Sequence, residues 1–196
     1  MSDKGPPHHR RSIRLRRYDY TQAGAYFVTI CTYNRELLFG EIVDGEMRLN
    51  EWGEIAWAEW FQTAVVRPNV TLYPDEFVVM PNHVHGIIRI VDDIATNVGA
   101  QRCAPAAVGA QRRCAPTAAG PRVLPGSLGA IIRAYKSATT RRINEHRGTP
   151  GAPLWQRNYY EHIIRDQTGL DRIRAYILSN PTRWPADTEN PGRIKT

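Results

Sequence analysis

The order of the predicted elements favours an α+β domain built on an antiparallel sheet. Runs rich in β-branched and aromatic residues alternate with amphipathic stretches of helical period, and turn residues separate them. Along the chain the elements are a strand, a hairpin, a helix, two strands, a helix, a strand and a last helix. This order is typical of a ferredoxin-like sheet with one helix added at its C-terminal end.

The first half of the chain supplies a strand, a hairpin and a helix. Residues 25–32 are apolar and β-branched, which predicts a strand. Residues 37–49 predict a short hairpin around Asp44–Gly45, a favoured turn pair. Asn50 is a suitable N-cap for a helix through about Val65, in which apolar residues recur at helical spacing.

The second half supplies the remaining elements. Residues 77–90 are apolar apart from a brief break and predict a pair of strands. Ser127 can cap an amphipathic helix that runs through about residue 143. Residues 154–164 predict the last strand, and residues from 170 to about 179 predict the final helix.

The most informative motif is His83-Val84-His85 in the strand pair. Side chains at positions i and i+2 of a strand point to the same face, so the two imidazoles lie side by side while Val84 faces the core. Neutral imidazoles are common ligands of divalent metals. Taken alone, such a pair on a strand is more often a packing or surface feature than a metal site.

The final helix carries the second signal. Tyr176 and Asn180 are four residues apart and therefore share one helix face. A tyrosine on an amphipathic helix is usually part of the core or its rim. A histidine pair, a tyrosine and an amide on that tyrosine's face together indicate phosphoryl transfer on DNA.

At these residues the sequence resembles HUH single-strand DNA transposases with one catalytic tyrosine, specifically the REP-associated tyrosine transposases (RAYT) of the IS200-like family. The similarity extends from about residue 10 to about residue 185. It rests on residues 80–85, 154–162 and 176–181, with further likeness at 10–20 and 26–31.

The resemblance implies the HUH fold, with the histidines on a central strand and the tyrosine helix across them. It implies that His83 and His85 bind a metal, that Tyr176 is the nucleophile and that Asn180 completes the metal shell. A site of this composition would take Mg²⁺ or Mn²⁺. The expected activity is that of an endonuclease and strand transferase, which nicks and rejoins hairpin or palindromic single-stranded DNA through a 5′-phosphotyrosine, as a monomer or homodimer.

The distribution of charge indicates a phosphate-bearing partner. The net charge is +7, and residues 1–20 and 124–196 carry net charges of +4 and +6, whereas the region between them is close to neutral or acidic. The predicted last strand alternates aromatic and basic residues, as a platform for unpaired bases would. The candidate DNA contacts are Arg14, Arg16, Arg17, Trp155, Arg157, Tyr160, His162 and Arg172.

The domain organisation follows from the composition. Residues 10–185 predict a single domain, preceded by a disordered segment at 1–9 and followed by a tail at 186–196. Residues 92–123 form a low-complexity insert in which an Ala/Gly/Pro-rich unit is nearly duplicated, so it predicts a disordered loop.

The sequence also bounds the environment of the protein. It has no apolar stretch long enough for a membrane span and no apolar segment typical of a signal peptide. Its three cysteines have no pairing pattern, which favours a cytoplasmic protein.

Two alternatives remain open on the residues alone. One is a metal-dependent hydrolase in which the histidines activate water and Tyr176 is structural. The other is a non-catalytic module that binds DNA or RNA hairpins on the same sheet.

Overall fold

A computed structural model describes residues 18–92 and 124–193. These two ranges contain an antiparallel sheet, a separate hairpin and three α helices. The elements are β1 (Gly24–Cys31), β2 (Gly40–Val43), β3 (Glu46–Leu49), α1 (Glu51–Val65), β4 (Val70–Thr71), β5 (Phe77–Met80), β6 (His83–Ile90), α2 (Leu128–Arg147), β7 (Tyr160–Ile164) and α3 (Gln167–Arg183).

The sheet has the predicted ferredoxin-like arrangement. Its strand order is β4-β6-β1-β7, and β5 pairs with β6 on the same side as β4. All of these pairings are antiparallel. The predicted fold class is therefore confirmed, with β6 and β1 at the centre of the sheet and α3 added at the C-terminal end.

The two faces of the sheet bury apolar cores of unequal size. The larger core lies beneath α1 and α2 and includes Val84, which points there as predicted. The smaller core lies beneath α3 and consists of Phe27, Ile87, Leu170, Ile173 and Ile177. Because strand residues alternate between faces, His83 and His85 lie on the side of α3.

Gly86 allows α1 to approach β6 closely. The Trp60 ring of α1 stacks on Phe77, with ring centroids 4.4 Å apart. A Cβ atom at position 86 would lie 2.4 Å from the Trp60 ring. Only glycine fits at position 86, directly after His85, because any Cβ atom there would overlap this ring.

The local signals for the helix starts and the hairpin are confirmed. The Asn50 side chain accepts hydrogen bonds from the backbone N–H groups of Trp52 and Gly53, and the Ser127 side chain accepts one from Ala130. Asp44 and Gly45 have φ angles of 53° and 80°, as the tight turn between β2 and β3 requires.

The last strand is shorter than the sequence predicts. Only residues 160–164 form β7, while Trp155 makes an isolated bridge to Thr32. The Trp155 ring is buried against Phe39 and Tyr135. The interpretation of Trp155 as a DNA contact is therefore corrected, because its aromatic surface is used in the core.

The final helix is longer than predicted. It begins at Gln167 and continues through Pro181 to Arg183, although a proline disfavours the helical conformation of the residue before it. Proline removes one backbone hydrogen-bond donor from a helix, and at Pro181 this loss falls in the last turn. Burial of Ile177 and Asn180 offsets that loss and keeps Asn180 within the helix.

Some predictions concern residues outside the described ranges. These are the N-terminal segment 1–9, the candidate contacts Arg14, Arg16 and Arg17, and the insert apart from Asp92. Among the described residues, no helix combines the length and the apolar character that a membrane crossing requires.

Removal of residues 95–121 should leave the domain folded. The duplicated unit has no periodic apolar face, and shortening a long loop changes the free energy of closure only slightly. We expect the midpoint of thermal unfolding, measured by circular dichroism, to stay close to that of the intact chain. A large decrease would show that the insert packs against the domain.

Candidate active site

His83 and His85 bring two ring nitrogens together on the α3 side of β6. Both side chains are almost completely buried. Their Nε2 atoms are 2.9 Å apart. Adjacent ligands about 2.1 Å from an octahedral cation lie about 3.0 Å apart, so this separation suits two ligands of one metal ion.

The orientation of His83 is determined by Asn82. The Asn82 Nδ2 atom donates to the carbonyl oxygens of Arg35 and Glu189, at 3.2 and 2.7 Å. Its Oδ1 atom must therefore accept, and it lies 2.8 Å from Nδ1 of His83. Nδ1 consequently carries the proton, which leaves the lone pair of Nε2 directed into the site.

His85 has an equivalent partner on the neighbouring strand. Its Nδ1 atom lies 2.8 Å from the hydroxyl oxygen of Thr29, directly across from it on β1. A hydroxyl can accept a hydrogen bond from Nδ1–H, which directs Nε2 of His85 into the site as well. Thr29 and Asn82 thus orient the two imidazoles, although the sequence assigned them no role.

Both imidazoles are held in the neutral form. Burial lowers the pKa of His83 to about 3, with a smaller contribution from the positive charge of Arg35. Burial also lowers the pKa of His85 well below its usual value, with a contribution from His83. A neutral imidazole is the form that binds a metal ion, so the pair is available as ligands at neutral pH.

Tyr176 of α3 reaches the same site. Its hydroxyl oxygen lies 3.3 Å from Nε2 of His85, and its ring packs edge-on against Phe27. Tyr176 as a whole remains 40% exposed and lines a surface cavity. Burial of the rest of the phenol raises the pKa of Tyr176, and a hydrogen bond from Asn180 opposes that increase.

Asp187 is the residue that the sequence did not predict. The sequence predicts a tail from residue 186, but a 3-10 turn at Trp184–Ala186 brings Asp187 back to the histidines. Its Oδ2 atom lies 3.9 Å from Nε2 of His83. Burial raises the pKa of the Asp187 carboxyl. No sequence periodicity marks this position, so only the folded chain reveals it.

The side chains of His83, His85 and Asp187 could together hold a metal ion. Their ligand atoms all lie within 4.8 Å of one another. Two imidazole nitrogens and a carboxylate oxygen form a donor set that first-row divalent ions accept.

Asn180 lies on α3, as Tyr176 does, but its side-chain amide is directed toward the backbone of the helix. Its side chain is buried, and its Nδ2 atom donates to the carbonyl oxygen of Tyr176 at 3.3 Å. The carboxylate oxygen that lies near His83 belongs to Asp187. A role for Asn180 in the metal shell stays a prediction.

Three of the predicted DNA contacts share a cavity with the tyrosine. Tyr160, His162 and Arg172 line a cavity of about 310 Å³ together with Tyr176. An adjoining cavity of about 530 Å³ shares His162 and Arg172 and adds Arg165. The lining of the second cavity continues along residues 161–166, past the end of β7.

Arg157 does not join this group. It is exposed and lines a separate cleft of about 650 Å³ between α2 and residues 150–157. The cleft lies against the helix on the opposite face of the sheet from α3.

The fold has a counterpart among solved structures. The structure of a REP-associated tyrosine transposase bound to a REP hairpin matches with a TM-score of 0.52 at 18% identity, over 88% of this chain and 74% of that one. A candidate transposase from Deinococcus radiodurans R1 matches with a TM-score of 0.38 at 20% identity, over 85% and 96%. The chain has the IS200/RAYT-like transposase fold, as the resemblance in sequence predicts.

The relationship in sequence is more specific. An uncharacterized protein of Haemophilus influenzae Rd is 38% identical over 180 residues, which cover 92% of each chain. This chain belongs to the same family as the Haemophilus protein. No family model matches the chain.

Proposed function

We propose that the protein nicks and rejoins single-stranded DNA through a covalent bond between Tyr176 and a 5′ phosphate. The observation that carries the proposal is the 3.3 Å approach of the Tyr176 hydroxyl to the paired histidines. A tyrosine that only packs in the core would not combine a partly exposed side chain with a hydroxyl placed beside a buried, neutral imidazole. The transposase fold of the chain supports the same reading.

The histidines and Asp187 would hold one divalent cation, Mg²⁺ or Mn²⁺, with Asn180 as a further candidate ligand. When bound, such a cation withdraws charge from the phosphate oxygens of the scissile bond. Asn82 and Thr29 would keep the two imidazoles oriented for this role.

Tyr176 would perform the covalent step. Its oxygen forms a bond to phosphorus, and the bond from phosphorus to the 3′ oxygen breaks. The phenolic proton passes to solvent, and the departing 3′ oxygen takes a proton from solvent. The products are a 5′-phosphotyrosine and a free 3′-OH. Because an aryl oxide is a good leaving group, a 3′-OH can reverse the step without a further energy source.

The cavity beside Tyr176 would hold the DNA strand. Tyr160 is half exposed and can stack on an unpaired base, and Arg172 can bind a phosphate. His162 lies between them on the cavity wall. A strand that leaves this cavity along β7 next meets Arg165.

In this proposal the catalytic side chains come from one chain, and the protein acts as a monomer or a homodimer. Genomic DNA is the expected substrate, which assigns the activity to the cytoplasm. A hairpin or palindrome in single-stranded DNA is the expected target, since the transposase of similar fold was solved bound to a REP hairpin.

A trapping experiment tests the proposal directly. The protein is incubated with single-stranded DNA from the flanks of its own gene and Mn²⁺, and the product is resolved on a denaturing gel. A band in which DNA and protein migrate together is expected. Cleaved DNA without that band would favour attack by water, and intact bound DNA would favour a non-catalytic binder.

Hairpin DNA with unpaired flanks should bind more tightly than a blunt duplex of the same stem. Bases of the unpaired flank can stack on the Tyr160 ring, whereas the paired bases of a duplex are not free to do so. Replacement of Arg172 by Ala should weaken binding and reduce the salt dependence by about one phosphate contact. Fluorescence anisotropy over a range of salt concentrations measures both effects.

Arg133→Ala provides the matched control for this experiment. Arg133 is an exposed arginine on α2, on the other face of the sheet. Its replacement removes the same charge without altering the cavity. Equal affinity for hairpin and duplex, or equal losses in the two variants, would contradict the proposed path of the strand.

A further inference from the structure

One buried carboxylate joins the strand of the histidines to the helix of the tyrosine. Glu76 is fully buried in the 3-10 turn before β5. Its Oε2 atom accepts a hydrogen bond from Nε of Arg89 on β6 at 3.0 Å. Its Oε1 atom accepts one from Nε of Arg174 on α3 at 2.8 Å. Arg89 is on the strand of His83 and His85, and Arg174 is two residues before Tyr176.

The apolar contacts of α3 leave its exact position weakly specified. The core beneath α3 contains five buried residues, against twenty in the core on the other face. Dispersion and burial are not directional, so a small apolar patch permits a helix to slide or rotate slightly. Charged hydrogen bonds have fixed lengths and angles, and a guanidinium adds a planar constraint.

We infer that Glu76 is a positioning residue for Tyr176. Through Arg174 it holds α3 at the position in which the Tyr176 hydroxyl lies 3.3 Å from Nε2 of His85. This inference rests on the proposed function and adds a residue that touches neither the DNA nor the metal ligands. Arg89 of β6 donates a hydrogen bond to the same carboxylate, so Glu76 holds both α3 and β6 in position.

The burial of Glu76 supports a geometric role over a purely stabilising one. Removing a carboxylate from water is costly, and a buried ion pair is often no more stabilising than apolar side chains of similar volume. What the pair provides in addition is a defined arrangement of the groups that it joins. Here those groups belong to the two elements that must meet for the covalent step.

The variant Arg174→Met tests the inference. It removes the guanidinium from a partly exposed position and leaves the apolar stem, so the domain should fold. With saturating hairpin DNA and Mn²⁺, we expect the single-turnover rate of adduct formation to fall by about tenfold or more, because small misplacements of reacting groups are costly. Affinity for Mn²⁺ should not change. Arg174→Lys, which keeps one charged donor, should recover part of the rate.

Arg142→Met is the matched control. Arg142 forms an ion pair with the nearly buried Glu59, and this pair joins α1 to α2 on the other face of the sheet. The variant loses the same kind of interaction far from Tyr176. It should alter the melting temperature while the rate of adduct formation stays at the wild-type value.

Two measurements together test the positioning role of Glu76, whether or not the wild-type protein forms an adduct. If Arg174→Met forms adduct as fast as Arg142→Met, the positioning role is wrong. If the wild-type protein forms no adduct, the proposed function fails, and hydrogen exchange tests the positioning role alone. Exchange should then accelerate in α3 of Arg174→Met and not in α1 or α2, and unchanged exchange in α3 would reject the inference.

Discussion

The variant Tyr176→Phe will fold, bind hairpin DNA and form no covalent adduct. The substitution removes one oxygen and keeps the ring, which packs against Phe27 and His85. The hydroxyl lies 3.3 Å from Nε2 of His85 and also interacts with the Asn180 side chain, so its loss should cost about 1–2 kcal/mol of unfolding free energy. The nucleophile is lost completely, and adduct should fall below detection on a denaturing gel.

Tyr73→Phe is the control for this experiment. Tyr73 is exposed to a similar degree, and its ring, which contacts Arg89, is preserved in the variant. Adduct formation should be unaffected. Peptide mapping of the wild-type adduct should locate the DNA on Tyr176. Mapping to another tyrosine would overturn the assignment, and cleavage that persists in Tyr176→Phe would favour the hydrolase alternative.

Replacement of either His83 or His85 by Ala will abolish the binding of Mn²⁺ and with it DNA cleavage. Each imidazole supplies one of two convergent nitrogen ligands. The loss in metal affinity should exceed the 10- to 100-fold, roughly, that follows removal of an outer-shell partner. Isothermal titration calorimetry with Mn²⁺ measures this loss, and chelation of the metal from the wild-type protein should reproduce the loss of cleavage.

The histidine variants need a control for folding. His83→Ala leaves the Oδ1 atom of Asn82 without its partner, which should lower the free energy of unfolding by about 1–3 kcal/mol. His146→Ala removes an exposed imidazole from α2 and should leave metal binding unchanged. A histidine variant that melts as a folded protein and still binds Mn²⁺ would rule out the metal site.

The parts of the site that the sequence predicts are those set by local periodicity. The alternation of β6 directs His83 and His85 to one face, and that prediction needs no knowledge of the rest of the chain. Helical spacing likewise predicts α3 and its apolar face, and it places Tyr176 at the edge of that face. The structure adds the measured distance between tyrosine and histidine, which depends on how α3 lies across the sheet.

The parts that the sequence misses depend on contacts between distant segments. Asp187 reaches His83 only because the chain turns back after α3 and Glu189 accepts a hydrogen bond from Asn82. Trp155 has the composition of a base-stacking residue, but a bridge to Thr32 directs it into the core. In both cases the decisive partner is far away in sequence, so neither propensity nor spacing carries the information.

The close approach of the Trp60 ring to Gly86 links two positions that evolution cannot vary independently. Any side chain at position 86 would displace either α1 or the strand that carries the histidines, unless residue 60 became smaller. Among homologues we therefore expect an aromatic residue at 60 to occur with glycine at 86, and larger residues at 86 to occur with smaller ones at 60. Trp60 is buried on the face opposite the tyrosine, yet it restricts which sequences can keep the histidine pair in place.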